Sequence, residues 1–341
     1  MKTSSGIKKK LVGWLVWIVV LSVILLIVSI TSLCVGTAAI PLKKIFPLIF
    51  SVREGLDYSI LVDIRLPRIL LGIAVGGGLS LAGVLLQGMF RNPLVEPYTL
   101  GISGGAALGV AINIVLGFKN SLNGLAMPIS GFIGAVVVVL AVYSLSARRG
   151  ILKIHGLLLT GVMISFIASS FIMLMMSISG SEDLRSIVFW IMGSLEEPKW
   201  YLIHLALGVS LFGLVASYFL SVRLNALSLG EEEARHLGID TESTKRILFI
   251  IASLITGCCV AITGVIGFVG LAVPHLVRMF VGQDHRILLI TAFLSGGIFL
   301  IISDTIARVI IKPVELPIGV VTGIIGGIIF VYALTKRGVE L

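Results

Sequence analysis

Arginine keeps its charge at any physiological pH, and in this chain it stands beside two long apolar runs. Arg65 and Arg68 flank Pro67, and Arg308 follows Asp304. Spacings of three and four put each pair on one face of a helix. Such cations either anchor a helix end by snorkelling or receive a partner's carboxylates, which sets register and on-rate. The residues alone leave both open.

A second polar block, SVRLNALSLGEEEARHLGIDTESTKR, runs from Ser221 to Arg246. Ser228 and Glu231 have the spacing of a capping box. Glu231, Glu232 and Glu233 put negative charge on the positive end of a helix, and Gly238 suits its stop. The pattern predicts a short helix from about Leu229 to Leu237. It is either an ordinary turn of a polar loop or a docking helix that transmits a partner's motion.

Enzymatic chemistry has one foothold. Gly101-Ile102-Ser103-Gly104-Gly105 matches G-x-S-x-G, with His275 as a conceivable base. A nucleophile elbow needs a strand before it, and the apolar surroundings offer none, so only an intramembrane serine protease using Ser103 and His275 remains. Nucleotide hydrolysis is excluded, because a phosphate-binding loop needs Gly-Lys before Ser or Thr and Gly-Lys does not occur. An ion-coupled carrier would hold an ionisable group near mid-membrane. Asp304 is the one acidic residue read well inside a span, and it lies near that span's end. Energy is therefore expected from a separate motor. The five histidines and three cysteines show no metal-ligand spacing, so no bound metal and no disulfide framework are expected.

The elements that must hold these residues follow from composition. Of 341 residues, 57% are hydrophobic and 13% charged, and the mean hydropathy is +1.12, far outside the soluble norm. The fold class is an all-α polytopic membrane protein. Runs long enough for a ~30 Å hydrocarbon core give ten crossings: roughly 11 to 33, 66 to 88, 97 to 117, 125 to 146, 155 to 178, 200 to 220, 247 to 265, 267 to 282, 286 to 306 and 316 to 335. Ile247 to Val277 carries no acidic, Lys or Arg residue and would be about 46 Å long at 1.5 Å per residue. It must break, around Gly264, Gly267, Gly270 and Pro274.

Lys8, Lys9 and Lys10 precede the first run, and Thr37-Ala38-Ala39 offers small residues for a signal cleavage. The run outlasts a signal peptide's apolar core, so it reads as a retained helix. Placing the N-terminus inside collects most of the 26 Lys and Arg on the inner side, including Arg91, Arg148, Arg149, Lys153, Arg223, Lys336 and Arg337. Both termini are then cytoplasmic. The net charge of +9 is accounted for by topology and membrane anchoring, without nucleic acid. The chain reads as one transmembrane domain, 1–341, with a short tail 1–10 and an inner loop of about 221–246.

Glycines repeat along three spans: Gly72, Gly76 and Gly83; Gly101, Gly105 and Gly109; Gly319, Gly323 and Gly327. In lipid, small residues let helices approach, so these read as packing seams. Arg68-Ile-Leu opening one span from outside and Arg246-Ile-Leu opening another from inside hint at an inverted repeat.

Together these residues resemble the FecCD-like permeases of ATP-binding-cassette importers for iron-siderophores, haem and vitamin B12. The likeness starts near residue 60. It rests on RLPR at 65–68, Gly83 to Gln87, NPL with EP at 92–97, LG at 100–101 with Ser103-Gly104, Trp190 to Gly193, LGEEEARHLG at 229–238, GFVGLAVPHLVR at 267–278, Asp304 to Arg308, and ELPIGVVTG at 315–323. It implies a BtuC-like fold with an inverted-repeat core. It also implies pairing with a second copy or a close paralogue, two ATP-binding subunits beneath, and an extracytoplasmic substrate-binding protein above, in a prokaryotic inner membrane. ATP and Mg would be used by the partner, and no cofactor by this chain. By this resemblance Arg65, Arg68 and Arg308 pair with glutamates of the binding protein. The segment Ser228, Leu229, Gly230, Glu231, Glu232, Glu233, Ala234, Arg235, His236, Leu237 and Gly238 seats on the ATPase. Gln87, Ser165, Ser169 and Met173 line the path. The expected cargo is an iron-siderophore-type chelate, with cobalamin, haem or an oxyanion as alternatives.

Overall fold

The computed structural model describes residues 2–36, 40–43, 45, 47, 55–118, 121–148, 151–196, 199–311 and 314–336. Thr37, Ala38, Ala39, Arg149 and Arg337, which the sequence reading used, lie outside these residues.

Thirteen helices are described: α1 Lys2–Cys34, α2 Leu56–Phe90, α3 Ile102–Val115, α4 Ala126–Ser146, α5 Ile154–Ile178, α6 Ser181–Met192, α7 Trp200–Phe219, α8 Ser221–Leu229, α9 Glu231–His236, α10 Thr241–Thr263, α11 Val269–Val281, α12 His285–Val309 and α13 Ile318–Lys336. One pair of two-residue strands, Ala147–Arg148 with Ile151–Leu152, closes the turn before α5. Seven helices are long and apolar enough to cross a membrane, and α3, α11 and most of α13 are shorter apolar helices. Ten crossings were expected, and these ten apolar helices fall where they were placed.

The differences have local causes. The N-terminal tail is helical and continues into α1. α2 starts ten residues before the expected span, at Leu56. Pro67 lacks an N–H and its ring presses on the carbonyl four residues back. A π-helical stretch at Ile60–Arg65 widens the ladder just ahead of it, and the helix runs through. The expected break in 247–277 is at Gly264 to Phe268, both with positive φ, while Pro274 stays inside α11. α6 was not foreseen. It exposes Glu182 and Arg185 while burying Ile187.

α2 is the axis of the bundle: 89% of its most apolar stretch is buried, and α7, α10, α11 and α12 pack around it. Glycine sets the spacing. A Cβ on Gly76 would sit 2.3 Å from the Gly296 carbonyl, and one on Gly83 would sit 1.9 Å from the Gly270 carbonyl. Gly105 and Gly109 likewise meet the α4 backbone at Gly134 and Ser130. On α13 only part of the expected seam is in contact, for Gly319 abuts the Met192 carbonyl while Gly323 has nothing within 4 Å. At the Arg91 end of the bundle, Asp284 ties α1 to α12, accepting from Arg286 (2.8 and 3.0 Å) and Lys10 (3.0 Å). Those bonds, Arg286 first, hold its carboxyl well below the usual carboxylate range.

Candidate functional site

At the Arg65 end of α2, five charged side chains are linked by ion pairs. Arg68 donates to Glu196 at 2.5 Å and to Glu315 at 2.7 Å, and lies 3.7 Å from Asp304. Arg308 pairs with Asp304 one turn earlier at 2.8 Å and also reaches Ser32 Oγ and the Val35 carbonyl. Arg65 donates to the Leu33 carbonyl. The structure thus brings Arg65, Arg68 and Arg308 to one place, but with an exposure of 3%, 5% and 4%. A guanidinium enclosed by a helix bundle is costly without acceptors, and the chain supplies them. What reaches the surface is the rim, where the Glu196 side chain is 68% exposed and Glu315 38%. The rim overlies a cleft of about 250 Å³ lined by Arg68, Asp304, Arg308 and Phe189.

At the opposite end, the segment 228–238 is built differently from the capping-box prediction. Ser228 Oγ donates to the Leu224 carbonyl within α8, and Gly230, at φ 146, separates α8 from α9 without a side-chain cap. Only glycine takes that backbone cheaply. The short helix expected from about Leu229 therefore starts at Glu231, after a separate helix that ends at Leu229. The stop is as expected. Gly238 has φ 77, the Ile239 N–H bonds the Ala234 carbonyl, and the Gly238 N–H bonds that of Arg235, a Schellman closure. Leu229, Glu232, Glu233, Arg235, His236 and Leu237 are exposed while Ala234 is buried.

Behind this segment lies Lys245, 1% exposed. Its Nζ is 3.0 Å from Glu231, 2.7 Å from Glu242 and 3.2 Å from the Leu152 carbonyl. Sequence reading used Lys245 only as a topological charge. Its burial depends on three segments that meet only in the folded chain.

Between the two ends, two helix interruptions meet. Residues 92–101 run back along α2, so that Pro97 packs against Gly270 at the level of Leu79. Tyr98 Oη donates to the Ile266 carbonyl (2.9 Å) and accepts from the Ile266 N–H (3.1 Å). Glu96 accepts from the Phe268 N–H at 2.8 Å, placing a carboxylate at the positive end of α11. Long helix, interruption, short helix thus occurs twice, as α2 to α3 and as α10 to α11. Glu96 lies between helices rather than within a span, and it is a second acidic residue packed against the middle of the bundle. The available signal was Glu96-Pro97 ahead of an apolar helix only 14 residues long.

The path residues divide. Ser165, Ser169 and Met173 follow one another every four residues on α5, and Met173 is 68% exposed. Gln87 stands apart from them and is buried. It donates to the Gly270 carbonyl (3.2 Å) and accepts from Arg278 (3.2 Å). With Arg91, His275, Arg278 and His285 it borders a cavity of about 290 Å³ near the Arg91 end. His275 packs edge-on against Phe330 and lines that cavity, which Ser103 does not. Ser103 and His275 therefore do not share this cavity.

The sequence matches the model of a known family, the FecCD transport family, over residues 24–336. The chain belongs to that family. It is 39% identical to the cobalamin import permease of Halobacterium salinarum over 86% of this chain and 78% of that one. It is 36% identical to the hemin transport permease of Yersinia pestis over 93% of this chain and 94% of that one. Among solved structures, an inward-facing metal-chelate-type ABC transporter superposes with a TM-score of 0.83 at 34% identity, covering 94% of this chain and 98% of the other. The FecCD chain described here is an integral membrane protein and an ABC importer permease.

Proposed function

We propose that this permease carries an iron-siderophore-type metal chelate across the inner membrane of a prokaryote, as a pair of identical chains with both termini in the cytoplasm. The observation that carries this reading is the superposition on a metal-chelate-type transporter over nearly the full length of both chains. A substrate-binding protein delivers the chelate at the Arg65, Arg68 and Arg308 end. Two ATPase subunits, which use ATP and Mg, seat against 228–238 at the other. Closure of the ATPases moves α9 and rocks the two copies, so that a path bordered by Ser165, Ser169 and Met173 opens to one side at a time. The chain makes no covalent change to its cargo.

The test is a ligand screen on the cognate binding protein, followed by ATP-driven uptake in vesicles holding permease and ATPase. A ferric siderophore should bind and be taken up only with ATP. Selection of cobalamin, haem or an oxyanion instead would overturn the assigned cargo, and ATP-independent accumulation would overturn the permease mechanism.

A further inference from the structure

We propose that Lys245 is the positioning residue that passes the movement of the ATPase-facing segment to the start of α5. The inference rests on the reading of 228–238 as the ATPase seat. It goes beyond that reading by naming where the motion goes next.

An ammonium has three donors, and here each acceptor comes from a different element. Glu231 opens α9, Glu242 lies in the first turn of α10, and the Leu152 carbonyl ends the strand pair that leads into α5. Glu242 completes the grip by accepting from the Leu152 N–H at 2.8 Å. Leu152, just before α5, is therefore held at both its N–H and its carbonyl by Glu242 and Lys245 of α10, and Lys245 holds α9 to the same point. Arg235, 3.7 Å from both Glu231 and Glu242, braces the cluster but is itself mostly exposed, so solvent screens it. Lys245 is not screened. Moving Glu231 away would take one of two carboxylates from a buried ammonium, which is unfavourable, so the ammonium and the Leu152 turn follow α9. Gly230 and Gly238, at φ 146 and 77, let α9 pivot as a unit. A cavity of about 580 Å³ bordered by Leu152, Ile154, His155, Glu231 and Lys245 gives the start of α5 room to shift.

The experiment uses the permease with its ATPase in vesicles. It compares wild type with Lys245→Met and with the milder Glu231→Gln, which removes only the arm to α9. Two quantities are read: substrate moved per ATP hydrolysed, and amide hydrogen exchange before and after nucleotide binding. In wild type, nucleotide should change exchange both at 229–238 and at 152–158. In either variant the change at 229–238 should persist, that at 152–158 should vanish, and transport per ATP should fall by about tenfold, an ordinary size for a coupling between sites. If Lys245→Met fails to fold, Glu231→Gln carries the test. A response at 152–158 that survives in the variants, or unchanged transport per ATP, overturns the relay. A wild-type complex in which nucleotide leaves 229–238 unchanged would instead overturn the ATPase seat.

Discussion

Arg68 is shared by three carboxylates, and the most exposed of them, Glu196, competes with any partner that approaches the cleft. Under the docking role proposed for this end, a carboxylate of the binding protein must displace Glu196 before it reaches the guanidinium. Glu196→Gln should therefore raise the affinity for the binding protein. The gain should be up to about fivefold, because an exposed ion pair contributes about 0 to 1 kcal/mol, and it should shrink as salt screens the pair. Titration of the binding protein at two ionic strengths checks this, and unchanged or weaker binding would count against docking at Arg68. Reversing Arg68 itself to Glu would be a poor probe. It would leave Asp304, Glu196 and Glu315 facing a fourth carboxylate and disrupt the bundle.

Helices here are held together by backbone approach more than by polar bonds. Lipid gives apolar helices no reason to associate with each other, so contact area between small residues decides. The α2–α11 crossing at Gly83 has the least room, with 1.9 Å for a Cβ. Gly83→Val should force the helices apart and destabilise the fold by about 1 to 3 kcal/mol or more, read as an earlier thermal unfolding in detergent. Gly323→Ala, which meets nothing within 4 Å, is the matched control and should unfold like wild type. Equal behaviour of the two variants would remove the seam argument. The same scale explains which helices were legible. Spans 125–146, 155–178 and 200–220 are uninterrupted apolar runs, and the structure puts α4, α5 and α7 there within a residue or two. α2 overran its expected start because the widened turn that admits Pro67 leaves no mark in composition. α9 was mistaken at its start because Ser228, which has capping-box spacing, is still inside the preceding helix.

As a whole, the molecule has two charged ends joined by one buried helix, and among the described residues Glu96 and Asp304 are the acids set furthest into the bundle. Both are occupied, Glu96 on the α11 N-terminus and Asp304 between Arg68 and Arg308. An ion-coupled cycle would need such a group to release its partner each turn. Purified alone into vesicles, the permease should therefore concentrate no solute under a proton or sodium gradient, while ATPase and binding protein together restore uptake. Accumulation driven by the gradient alone would point to Glu96 or Asp304 as the coupling group and end the motor-driven account.

Membrane class, helix type, the number of crossings and the break near Gly264 could be read from the chain because they depend on local quantities: the length of an apolar run, the permissive backbone of glycine, the missing N–H of proline. Tertiary structure decided everything that depends on neighbours distant in the chain. It gathered Arg65, Arg68 and Arg308 into a buried network, folded 92–101 back so that Glu96 meets Phe268, and set Lys245 between Glu231, Glu242 and Leu152. Charge is tolerated inside such a bundle only where its partners converge, and convergence is a property of the packed helices rather than of any one segment.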